Sequence, residues 1–151
     1  MFDWRLALWS LAAGAGIPVM AVLNARLGRA LGEPLHAPMV LFVVGVIFVW
    51  VLGFSLTGRV PSVSAMAEMP KINLAGGLFV GFYVVSATFL APRFGVGNFI
   101  LFAMVAQILI SAGIDHFGWF GAVERPVRLL RLGGLVVMVA GLAVAQVAAQ
   151  K

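Results

Sequence analysis

Apolar and charged positions separate along this chain into long blocks. Five stretches carry no charged side chain: Leu6–Leu23, Ala37–Gly58, Ile72–Pro92, Phe94–Ile114 and Leu132–Gln150, each between 18 and 22 residues long. At about 1.5 Å of rise per residue, about 20 helical residues cross a hydrocarbon core roughly 30 Å thick. Lipid offers no partner to a backbone amide, so a span must be a helix or a strand of a closed barrel. Barrel strands alternate apolar and polar residues over about 10 positions. Runs such as Val40–Val44 and Leu135–Val139 do not alternate. The pattern therefore predicts an all-α integral membrane protein: one domain over 1–151 with five transmembrane helices, spanning approximately 4–31, 36–58, 71–92, 94–115 and 131–150.

The connections are short. Arg26 and Arg29 are three apart and so neighbours on one helix face. The first helix is expected to continue to about Leu31, with both arginines snorkelling to headgroups, before a turn at Gly32-Glu33-Pro34. Pro61, Ser62, Ser64 and Pro70 mark 59–71 as a loop, Pro92-Arg93 reads as a tight turn, and Pro126 lies in the loop 115–131. A cleaved signal peptide is not expected. Met1–Arg5 holds one acid and one base, and Gly14 and Gly16 fall inside the apolar run rather than after it.

Composition narrows the function classes. Hydrophobic residues make up 63% and charged residues 10%, against roughly 25% charged in soluble domains. That polar surface cannot clothe a water-soluble enzyme, a nucleic-acid-binding module or a disordered chain. The net charge of +5 sits in the gaps between apolar runs. With no cysteine there is no disulfide, zinc ribbon or thiol chemistry. Serine–histidine–carboxylate sets, a P-loop and a dinucleotide fingerprint are all lacking, so no enzyme and no cofactor are expected. No metal site is expected either: His36 and His116 fall on opposite membrane sides by the span count.

The remaining polar and small residues are the candidates. Gln107, Ser111 and Asp115 recur every four residues and share one face of the fourth span. Polar groups in the bilayer usually face the bundle interior or a water-filled cavity. This face reads either as the lining of a substrate cavity or as helix–helix and backbone hydrogen bonds. Trp9, Tyr83 and Asn98 join it as cavity candidates, and Pro18, which breaks one backbone bond within the first span, is a further one. Asp115 and His116, with Asn24, could form a polar or ionic switch. The plainer reading pairs Asp115 with Arg125 or Arg128, and Asn24 with a neighbouring helix. Trp4 and Trp119 suit an interfacial aromatic belt. Gly77 and Gly81, and the series Gly134, Gly141, Ala145, are small-residue faces suited to close packing, including packing against a partner subunit.

Several stretches resemble the YdcZ-type family of the drug/metabolite transporter superfamily. They are Gly16-Ile17-Pro18 with Asn24-Ala25-Arg26-Leu27-Gly28, His36-Ala37-Pro38, Gly76–Val84, Ala91–Gly95, and Gln107 with Ile114-Asp115-His116-Phe117-Gly118. The resemblance implies an inner-membrane protein that is half of a ten-helix assembly with inverted two-fold symmetry. The implied partner is a second, inverted copy or a paralogue. The Gly134/Gly141 spacing resembles the dimerisation helix of small multidrug exporters. Those exporters couple to protons through a glutamate in the first helix, where this chain has Gly14-Ala15-Gly16, so that coupling is not supported.

The leading functional expectation is a secondary transporter of small organic solutes, uncharged and aromatic or amphipathic, working by alternating access as an antiparallel dimer. A passive channel and a non-transporting membrane scaffold are the alternatives. Charge balance makes one expectation testable. Arg5, Arg59, Lys71, Arg125, Arg128 and Arg131 fall on the N-terminal side, and Arg26, Arg29, Arg93 and Lys151 on the other. Six against four is a weak bias, and Lys/Arg excess sets orientation. C-terminal reporter fusions should be active on both membrane faces, and adding lysines to one side should collapse the population to a single orientation. Activity on one face alone would refute dual insertion.

Overall fold

The computed structural model describes residues 3–149, and all regular structure among them is helical. Met1, Gln150 and Lys151, which figured in the expectations above, lie outside the described residues. The helices are α1 (Trp4–Ala30), α2 (His36–Thr57), α3 (Val63–Glu68), α4 (Ala75–Phe94), α5 (Val96–Phe117) and α6 (Leu129–Ala149). A 3₁₀ turn over Lys71–Leu74 leads into α4. Five segments are long and apolar enough to cross a membrane: α1, α2, Lys71–Phe94, α5 and Leu129–Ala148.

Local chemistry fixes the ends. The Asp3 carboxylate accepts from the Arg5 amide at 2.9 Å and caps the start of α1. Gly58 closes α2 in the left-handed conformation, with its N–H on the Phe54 carbonyl at 2.7 Å. Two connections differ from expectation. The segment 59–71 holds the short helix α3, because the Ser62 hydroxyl accepts from the Ala65 amide ahead of the helix formers Ala65, Met66 and Ala67. The turn expected at Pro92-Arg93 lies at Gly95. Helix α4 runs through Pro92 to Phe94 and ends at Gly95, which has φ +92°. A proline in the last turn removes one bond from a helix that is already ending, whereas the break after it has a positive φ that glycine adopts freely.

The chain divides into two compact units, residues 1–96 and 97–151. In the first unit α1 packs on α4, and α2 touches both. The seam is built from small residues. Helix α1 buries Ala21, Asn24 and Gly28, α4 buries Val84, Ala87, Thr88 and Ala91, and α2 contributes Ala37 and Pro38. Lipid tails are as apolar as leucine, so burial of large side chains gains little and close backbone approach does the holding. Large apolar residues such as Val43, Ile47 and Phe54 accordingly point outward, where lipid solvates them. Gly28 is the tightest point: a Cβ there would stand 3.1 Å from the Pro34 Cα and 3.6 Å from the Ala37 Cβ.

In the second unit α5 and α6 are tied at both ends. Gln146 donates to the Asn98 side-chain oxygen at 3.1 Å, and Arg131 donates to the Asp115 carboxylate at 2.9 Å. From Asn98 to Asp115 is about 25 Å of helix and from Arg131 to Gln146 about 22 Å, so the two ties match an antiparallel pair. The loop between them is pinned by the Arg125 amide on the Asp115 carbonyl and the Val127 amide on His116 Nδ1. It turns through positive φ at Gly118, Phe120 and Gly121.

The seam yields a matched pair of variants. No atom lies within 4 Å of a Cβ placed at Gly14. Gly28→Ala is expected to be less stable than Gly14→Ala by about 1–3 kcal/mol, the usual cost of forcing an extra carbon into a packed contact. Equilibrium unfolding in detergent measures it. Equal stabilities would mean that the Pro34 backbone yields freely.

Candidate functional site

Within the first unit, Asn24 and Thr88 meet across the α1–α4 seam. Both are buried, and the Asn24 amide nitrogen donates to the Thr88 hydroxyl oxygen. That hydroxyl donates in turn to the Val84 carbonyl at 2.8 Å, one turn back on its own helix. The Asn24 side-chain oxygen is buried with no hydrogen-bond partner. Asn24 thus forms a cross-helix tie in the single chain. Thr88 was not singled out from sequence. A hydroxyl inside an apolar helix commonly bonds its own backbone, which conceals a second bond to a neighbour.

Just beyond this pair, the C-terminal ends of α1 and α4 enclose a cavity of about 320 Å³, at the low end of small-molecule sites. Ala25, Gly28, Pro34, Phe89 and Pro92 give it apolar walls, Thr88 reaches it from the seam, and Arg29 and Arg93 line it with charge. Sequence reading placed Arg29 and Arg93 on one membrane side but gave no sign that they share a cavity. Proline at position 92 cannot donate to the Thr88 carbonyl one turn back. Pro18 stands in the same relation to the Gly14 carbonyl, and α1 nonetheless continues through it.

The expected stripe on α5 is only partly engaged. Gln107 is exposed, near the middle of a 22-residue helix, and makes no hydrogen bond among the described residues. The Ser111 hydroxyl donates to the Ile108 carbonyl at 2.9 Å, so its polarity is spent on its own helix. Asp115 forms an ion pair, but with Arg131 rather than the expected Arg125 or Arg128. Arg131 lies within the first turn of α6, which the Gln146–Asn98 tie holds beside α5, whereas Arg125 and Arg128 precede that helix. His116 accepts the Val127 backbone N–H at Nδ1, at 3.0 Å. Asn98 is held by Gln146. Gln146 was also missed, although one polar residue in each of two successive spans, at mirror distances from the connecting loop, is a readable pairing signal. Tyr83 is half-buried and Trp9 is exposed on α1. Gly77, Gly81, Gly134 and Gly141 all have open space where a Cβ would stand, and Ala145 is exposed.

A family model described as "Putative inner membrane exporter, YdcZ" matches residues 6–144. The chain belongs to the YdcZ family. No curated relative and no solved structure matches it. As a YdcZ-family protein it is a multi-pass protein of the inner membrane, with the five spans that length and hydropathy define. The description points to export, that is to a transporter rather than an enzyme. The motif stretches around Asn24, Pro38, Gly81 and Asp115 all fall inside the matched region.

The Asn24–Thr88 tie can be weighed directly. Interhelical hydrogen bonds in membranes couple by about 0.6 kcal/mol on average and up to about 1.7. A double-mutant cycle of Asn24→Ala and Thr88→Ala, read by unfolding in detergent, should give a favourable coupling in the upper half of that range, because both groups are buried. A coupling near zero would mean that each side chain serves packing alone.

Proposed function

We propose that this YdcZ-family chain is one half of a secondary transporter, completed by a second copy in inverted orientation and working by alternating access. Five spans place the two termini on opposite faces, and an inverted partner would supply a further five. The observation that carries the reading is Gln107. Among the described residues this carboxamide in the middle of a span has no hydrogen-bond partner, and hydrocarbon offers it no water. Leaving such a group bare costs several kcal/mol. A water-filled substrate cavity or a facing subunit removes that cost. Helix α6 adds support: none of its described side chains is buried, and Gly134, Gly141 and Ala145 leave a small-residue face open for a second subunit.

Gln107 in the second unit, and Tyr83 and Trp9 in the first, offer hydrogen bonds and ring surface without a fixed carboxylate, which would suit uncharged, aromatic or amphipathic solutes. Glycine- and proline-containing spans such as α1 fit the rocking that alternating access requires. The test uses the full chain in proteoliposomes with a panel of uncharged aromatic dyes. Saturable efflux with counterflow is expected, and Gln107→Ala should lower it about tenfold or more while chemical cross-linking still captures the dimer, as for a polar group at a functional intramembrane position. Flux without saturation or counterflow would make the protein a channel. Unchanged flux in Gln107→Ala would move the cavity elsewhere.

A further inference from the structure

The cavity between the ends of α1 and α4 has an uneven distribution of charge. Arg29 and Arg93 line it and no carboxylate does. Among the described residues neither guanidinium has a carboxylate within 4.0 Å, and the acid of the adjoining turn, Glu33, accepts from the Leu35 amide. Arg93 lies over the Phe89 ring at 5.5 Å and donates one 3.4 Å bond to the Phe89 carbonyl, while the Arg29 guanidinium makes no hydrogen bond among the described residues. Each guanidinium has five N–H donors, so most of this capacity is unspent. Two helix C-termini oppose it with about half a negative charge each. That is roughly one unit against two full positive charges, and the cavity stays cationic.

The interior is different. Ala25, Gly28, Phe89 and Pro92 are apolar, and the Thr88 hydroxyl already donates its hydrogen bond to the Val84 carbonyl. An anion therefore gains at the arginines and nothing deeper, whereas an apolar group gains along the walls. We propose that this cavity binds an anionic phospholipid, its headgroup phosphate held by Arg29 and Arg93 and its glycerol and upper acyl carbons against the apolar walls. Guanidinium forks match phosphate oxygens two at a time. The site lies at the ends of two spanning helices, the level at which headgroup phosphates reside. Inorganic phosphate would share the arginine chemistry but leave the walls unused.

The full chain in a nonionic detergent is titrated with dioctanoyl-phosphatidylglycerol, and binding is read as the rise in unfolding temperature. Two parallel arms use dioctanoylglycerol, which lacks the phosphate, and inorganic phosphate, which lacks the chains. Phosphatidylglycerol should protect and the other two should not. Arg29→Gln with Arg93→Gln should weaken binding about tenfold, whereas Arg59→Gln, on the opposite face, should change it by less than about twofold. If the double variant does not fold, Arg29→Gln alone decides, since that guanidinium makes no hydrogen bond among the described residues. Arg29→Lys should keep part of the affinity, as a point charge without the fork. Equal protection by dioctanoylglycerol, equal protection by inorganic phosphate, or an unchanged affinity in Arg29→Gln would each overturn the proposal.

Discussion

A bilayer interior removes the force that assembles most proteins. Lipid solvates leucine and valine as well as another helix does, so this chain cannot be held together by hiding its large apolar residues. What remains is close approach and the satisfaction of polar groups. The first unit uses both at one place. Ala21, Asn24 and Gly28 of α1 and Ala87, Thr88 and Ala91 of α4 are buried where the two helices pack, and there Asn24 comes within bonding distance of Thr88. A bulkier seam would separate that pair and leave its polar atoms in hydrocarbon. The seam also sets the cavity beside it, because Gly28 and Thr88 belong to both.

The second unit solves the same problem with ties at its ends. Asn98 with Gln146 and Asp115 with Arg131 bracket the α5–α6 pair. The two ends of the pair are thus tied by polar groups, whereas the Gln107 amide between them, in the middle of α5, has no hydrogen-bond partner among the described residues. That contrast makes Gln107 a more informative residue than Ser111, whose hydroxyl is absorbed by its own backbone.

The spans were legible in the sequence because charge is excluded from hydrocarbon. The uncharged runs mark helices to within two residues of those observed at most ends, and the left-handed closure at Gly58 follows from glycine ending an apolar run. The turn near Pro92 was harder, since proline can end a helix or ride in its last turn, and only the position of Gly95 decides. The seam was less legible still. Glycine pairs at Gly77/Gly81 and Gly134/Gly141 draw attention in one dimension, yet the packed glycine is Gly28, whose neighbours Pro34 and Ala37 come from the following turn and helix. Periodicity reports which residues share a face, but not which face meets another. For the same reason the joining of Arg29 and Arg93 in one cavity could not be read from residues 64 positions apart.

Helix α1 is unequal along its length. From Ala21 to Gly28 it is clamped in the seam, while the arm from Trp4 to Gly16 is exposed, and Pro18 lies between the two. Without the proline amide, the backbone at that point has one fewer bond resisting a bend. The geometry is that of a lever with a fixed base. The arm from Pro18 to Trp4 is about 21 Å long at helical rise, so each 10° of bending at the pivot displaces the Trp4 end by about 4 Å. A small angular change beside a rigid seam thus becomes, at the far membrane surface, a movement as wide as a methylene chain.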